Sequence, residues 1–178
     1  MRNATASQTV GPFLHIGFDW FDNGELFATT ESSAKRIVVQ GKLYDGDGMP
    51  ISDGVIELWQ ADAKGRYAKD ASAGGFGRVA SGAGGAFRFC TVKPGRVAGP
   101  GGVLQAPHIV VSIFARGLLK RLATRINFPD EPANACGPIL ALVPAERRAT
   151  LIARPAGDAM LEWDARIQGK NETVFFHF

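Results

Sequence analysis

Hydrophobic positions in this chain fall into short β-branched or alternating runs, with glycine and proline marking the gaps between them. Residues Ile37 to Tyr44 (IVVQGKLY) lead into the turn DGDGMP, and Val55 to Trp59 forms the next run. From Gly85 to Val92, Phe87, Phe89 and Thr91 alternate against Ala86, Arg88 and Cys90, the period of a half-buried strand. Ile109 to Ala115 is nearly continuous in apolar residues, as a central strand requires. Thr124 to Phe128, Met160 to Gln168 and Thr173 to Phe178 complete the predicted set. Only Pro144 to Leu151 offers a helical turn or two, with proline near its start and good helix formers after it. Short strands bounded by turn signals predict an all-β fold, an antiparallel β-sandwich with long loops and at most one or two short helices.

Two segments read as glycine-rich excursions, residues 71–85 (ASAGGFGRVASGAGG) and 95–102 (GRVAGPGG). Neither joins a strand to a helix as a phosphate-binding loop does, which removes a nucleotide-binding reading. Near the N-terminus, SQTVGPFLHIGFDW is apolar and lies well ahead of the first strand. It reads equally as a loosely packed tail or as an ordered arm covering a pocket, its own or a partner's.

Composition narrows the class further. A length of 178 residues suits one domain with a full core. The chain is 46% hydrophobic and 21% charged, which is globular and not disordered. No apolar run reaches the roughly 20 residues of a membrane span, and MRNATASQTV lacks the apolar stretch of a secretory signal. Cys90 and Cys136 are too few for a disulfide framework. Cys90, within FRFCTV, is expected to be a small core residue, and both thiols are expected to be reduced in the cytoplasm. A net charge of +3, with Lys120-Arg121 and Arg147-Arg148 as the tight basic pairs, forms no nucleic-acid-binding stripe. It is compatible with attracting small organic acids.

Candidate chemistry centres on Tyr67, which follows the strand ELWQ, and on His108, which opens the strand HIVVSIF. A phenolate and an imidazole suit ferric iron, but two donors are too few for a stable site. The residue sharing His108's strand face at the second position on is Val110, and no HxH, CxxC or HExxH spacing occurs. Spacing alone therefore favours a satisfied, buried histidine over a metal ligand. Tyr44, at a strand-to-turn junction in KLYDGDGMP, reads as ordinary edge-of-sheet chemistry.

Five segments carry a resemblance: SQTVGPFLHIG, GKLYDGDGMPISDGVIELWQADAKGRY, FGRVASGAGGAFRFCTVKPG, APHIVVSIFARG and RIQGKNETVFFHF. Together they span nearly the whole chain and resemble the intradiol ring-cleavage dioxygenases. Family members that cleave the ring hold a non-haem ferric ion with two tyrosines and two histidines. On this chain Tyr67 and His108 match the first of each pair. Val97 and Val110 fall where the second tyrosine and second histidine would be. Valine has no lone pair to donate, so the resemblance implies a vestigial site and no metal bound by this chain.

The resemblance implies a division of labour. A homologous beta chain would carry Fe(3+), and this chain would be its iron-free alpha partner in αβ units that assemble further. The implied reaction is cleavage of protocatechuate by O2 to 3-carboxy-cis,cis-muconate, in the beta-ketoadipate pathway of aromatic catabolism. Residues 1–178 would form one such domain, with 1–36 as an N-terminal arm reaching the partner chain. Thr9, Gly11, Pro12 and Phe13 would wall the partner's substrate slot, and Arg116, in FAR, would add positive charge near the substrate carboxylate. For Arg116 the other reading is a structural ion pair at a strand end. Phe13 stands where the family commonly has tyrosine, so it keeps a ring and lacks a hydroxyl. Two rival functions stay open: a self-sufficient dioxygenase with a rearranged iron site, and a non-catalytic β-sandwich assembly module.

Overall fold

The computed structural model describes residues 4–18, 24–27, 34–69 and 74–177. Parts of the expected arm (1–3, 19–23 and 28–33), residues 71–73 of the first glycine-rich segment and Phe178 lie outside the described residues.

Two sheets face each other. One is built on β1 (Arg36–Tyr44), which pairs antiparallel along one edge with β4 (Ala86–Val92). Along its other edge lie β10 (Met160–Glu162) and β11 (Ala165–Arg166), both parallel to β1, and β9 (Arg154–Gly157) pairs outside β10. The second sheet is antiparallel. Its order is β3 (Phe76–Ala80), β2 (Val55–Trp59), β7 (His108–Phe114) and β8 (Leu122–Asn127). A two-stranded ribbon, β5 (Val97–Ala98) with β6 (Leu104–Gln105), leads into β7.

The core lies between the sheets. Val39 and Leu43 of β1 and Phe87 and Phe89 of β4 meet Ile56 and Leu58 of β2 and Ile109, Val111 and Ile113 of β7. Each of these is essentially shielded from water, and each such burial contributes about 1.5–3 kcal/mol. The polar intruder Gln60 is satisfied. Its amide donates to the carbonyls of Ala61 and Val92, and its oxygen accepts from the Thr91 hydroxyl.

The expected strand Met160–Gln168 is broken between β10 and β11, and the cause is local. At Gly41 a Cβ would stand 1.7 Å from the Trp163 carbonyl oxygen, so glycine alone lets that peptide approach. The Trp163 amide then donates to Gln40 O, and the Asp164 carboxylate replaces the next ladder acceptor by taking the Lys42 N–H at 2.9 Å.

Several other expectations need correction. The glycine-rich 71–85 segment contains β3, in which Val79 turns inward and Gly77 takes the other core-facing position. Residues 97–105 form the β5–β6 ribbon instead of an open excursion. The helical turns expected at Pro144 to Leu151 are present as a 3-10 helix, Ala145–Leu151, preceded by α2 (Pro138–Ala141), and Pro12–Phe18 forms α1. Residues 173–177 make one bridge, Phe176 to Ala123, and no continuous strand. That segment packs Val174 and Phe176 on Leu140, Val143 and Leu151, a small second core over the end of β8. Cys90 is half-buried and not a core residue, because it shares the outward period of Ala86 and Arg88. No described helix is long and apolar enough to cross a membrane.

Candidate functional site

Two places gather the residues of chemical interest. The first is the outer face of the β3-β2-β7-β8 sheet. Across it, Phe76, Trp59, Val110 and Arg125 stand in register. Tyr67 follows β2 through a tight turn that Asp62 organises by accepting the amide hydrogens of Lys64 and Arg66, each at 2.8 Å. Burial pushes the Asp62 carboxyl up, but the Arg66 amide and guanidinium and the Lys64 amide outweigh it and hold it below the usual range. Gly65 in this turn has φ +76°, and a Cβ there would lie 2.1 Å from Arg96 O, so the turn packs directly on the residue before β5. The turn lays the Tyr67 ring flat on Trp59, with centroids 5.8 Å apart and planes 5° from parallel.

His108 begins β7 on the same face as Val110 and is buried. Its Nδ1 lies 2.8 Å from the Ala106 carbonyl, so Nδ1 carries the hydrogen and donates it. Burial, with the charge of Arg125 adding to it, pushes the imidazole down to about 4, against the weaker effect of the Ala106 hydrogen bond. Burial likewise raises the Tyr67 phenol above its ordinary value, opposed by Arg125. Arg125 donates to Gln105 Oε1 at 3.1 Å and lies 5.7 Å from the Phe176 ring centroid. Burial pulls its guanidinium below the ordinary arginine value, with Tyr67 acting the other way.

The residues here do not fit a ferric ion. Val97 is buried on β5 opposite Gln105, Val110 is half-buried between Trp59 and Arg125, and neither has a donor atom. Among the described residues no group of three or more His, Cys, Asp or Glu side chains could hold a metal. Tyr67 and His108 remain as phenol and neutral imidazole beside a guanidinium.

The second place is a cleft of about 310 Å³ lined by Val10, Gly11, Pro12, Ile16, Asp53 and Arg116, among others. Thr9 anchors it: its Oγ1 accepts the Gly117 N–H at 2.7 Å and ties the N-terminal segment to the turn after β7. Arg116, beside that tether, pairs with Asp53. Of the five residues expected at a substrate slot, the fold thus assembles Thr9, Gly11, Pro12 and Arg116. Phe13 points elsewhere and is 83% exposed. Sequence reading missed Asp53, Arg125 and Gln105. Asp53 sits in a turn whose sequence, ISDG, carries no functional spacing. Arg125 is identifiable only through strand register.

A dioxygenase family model matches residues 20–169. The chain is 42% identical, over 97% of its length and 96% of the relative's, to the protocatechuate 3,4-dioxygenase alpha chain of Burkholderia cepacia. The chain belongs to the intradiol dioxygenase family. It is also 34% identical to the protocatechuate 3,4-dioxygenase beta chain of the same species, over 80% of this chain and 68% of that one. Among solved structures it resembles the dioxygenase domain of a dioxygenase carbohydrate-binding protein fusion from Streptomyces sp. SirexAA-E. That likeness has a TM-score of 0.66 and 26% identity, covering 83% of this chain and 88% of that chain. The family is non-haem iron-dependent.

Proposed function

We propose that this chain is the iron-free alpha subunit of a cytoplasmic protocatechuate 3,4-dioxygenase, and that it completes the substrate pocket of a homologous beta chain holding Fe(3+). The observation that carries the reading is the pair Val97 and Val110. The alpha-chain relative covers nearly the whole chain, and valine stands at two of the four positions where the family resemblance puts metal donors. The assembly cleaves protocatechuate with O2 to 3-carboxy-cis,cis-muconate, and the iron chemistry belongs to the partner.

This chain's own contribution is the cleft at the arm. Gly11 and Pro12 present backbone and a fixed turn as a wall, and Thr9 holds that wall to the strand-end turn. Arg116 supplies positive charge for a carboxylate, and Asp53 keeps the guanidinium oriented before a ligand arrives. Phe13, exposed on α1, gives the arm an apolar surface for the partner chain.

The test is iron content and visible absorption of the chain alone and co-expressed with a beta chain. Iron, tyrosinate-to-iron absorption and protocatechuate cleavage are expected only in the complex. Stoichiometric iron in the isolated chain would overturn the reading. In the complex, Arg116→Ala is expected to raise KM for protocatechuate by roughly 10-fold, the loss of one charge-assisted hydrogen bond.

A further inference from the structure

The missing donors at 97 and 110 explain why iron has too few ligands, but they do not explain what now stands in their place. Arg125 answers that. It is the direct cross-strand partner of Val110 on the outward face of β7 and β8. Such partners have Cβ atoms about 4.5–5.5 Å apart. A side chain long enough to reach metal from position 110 would therefore project beside the Arg125 side chain. His108, two residues earlier on β7, is its diagonal neighbour on the same face, opposite Asn127. Tyr67, flat against Trp59, borders the other side, because Trp59 is the cross-strand partner of Val110 on β2.

The guanidinium is held in place. It donates to Gln105 Oε1, and Gln105 is itself opposite Val97 in the β5–β6 ribbon. One arginine is thus tied to the neighbourhood of all four family donor positions. From above it is covered by Phe176 of the small second core. None of the carboxylates in the described ion pairs serves Arg125.

We infer that Arg125 is a built-in cation that closes the Tyr67–His108 corner to ferric iron, so that restoring the two lost donors is not enough to restore metal binding. The inference rests on the family reading that places Val97 and Val110 at donor positions. A ferric ion with two tyrosinate ligands keeps a positive charge. At the short spacings of one sheet face it would meet a second fixed cation with little water between them. Like charges at such range in a partly buried site weaken binding by at least about 100-fold.

The experiment uses the full chain with Val97→Tyr and Val110→His, carrying Arg125, Arg125→Lys or Arg125→Gln, each checked for cooperative thermal unfolding. Ferric affinity and tyrosinate-to-iron absorption are the readouts. The glutamine form is expected to bind iron at least about 100-fold more tightly than the arginine form, with the lysine form as weak as the arginine form. Equal binding by all three, or binding by none, overturns the inference.

If the ligand-restored chains do not fold, the otherwise unaltered chain decides. There Arg125→Gln is expected to raise zinc affinity at least about 10-fold, and His108→Ala is expected to remove that gain. No gain overturns the inference. Iron in the unaltered chain would instead defeat the iron-free subunit reading, so the two failures are distinguishable.

Discussion

Lowering the pH from about 7.5 to about 5.5 is expected to destabilise this chain by about 1.3 kcal/mol through His108 alone. In the fold the imidazole is buried and takes up its proton only near pH 4, against an ordinary value of 6.5. Between those values the unfolded chain binds more protons than the folded one. Stability from this group is therefore full above about pH 6.5 and declines as the pH falls toward 4, by about 3 kcal/mol in all. The charged group acting on His108 is Arg125. The Asp62 and Asp130 carboxyls lie below their usual 3.8 and titrate beneath it. Urea unfolding at the two pH values measures the drop, and thermal unfolding should show it as a shift of about 3–5 °C. His108→Asn retains an amide to donate to Ala106 O and has nothing to titrate, so its stability is expected to lose less than about 0.3 kcal/mol of the same change. An equal drop in both proteins would refute the assignment to a buried neutral imidazole.

The remaining predictions test the fold and the cleft. Gly41→Ala places a methyl against the Trp163 carbonyl and is expected to cost at least about 3 kcal/mol in urea unfolding; a loss under about 1 kcal/mol would mean that the break between β10 and β11 can move aside. Thr9→Val removes the acceptor of the Gly117 N–H and is expected to speed hydrogen exchange of that amide about 5-fold, about 1 kcal/mol of local protection. Unchanged exchange would mean the arm is held elsewhere. Asp53→Asn removes the carboxylate that orients Arg116 and is expected to raise KM for protocatechuate in the complex by up to about 5-fold. A fall in KM would show that Asp53 competes with the substrate carboxylate for the guanidinium.

The strands that carry the core were legible because burial writes itself into apolar spacing. IVVQGKLY, VIELW, AFRFCTV and HIVVSIF all lie within strands. β3 was not legible because FGRVA commits only Val79 to the core and uses glycine at its other inward position. The parallel placement of β10 and β11 beside β1 depends on which strands meet after the chain has folded, and no periodicity within either segment encodes that. At the candidate sites, Tyr67 and His108 were readable by residue type, and Val110 by strand period. Asp53 and Arg125 were not, since each gains its meaning from a residue brought across a fold, Arg116 in one case and Val110 in the other.

The Thr9 hydroxyl and the Arg116 guanidinium meet the chain at adjacent positions, since Thr9 holds the amide of Gly117. The arm and the charged wall of the cleft are therefore one mechanical unit. In the proposed function, a pull on the arm by a docking partner passes through the Thr9 hydrogen bond to the peptide next to Arg116 and strains its pairing with Asp53. Under that proposal assembly and ligand affinity are joined by a lever one residue long, and the seating of the arm sets how freely the guanidinium can turn toward an incoming acid.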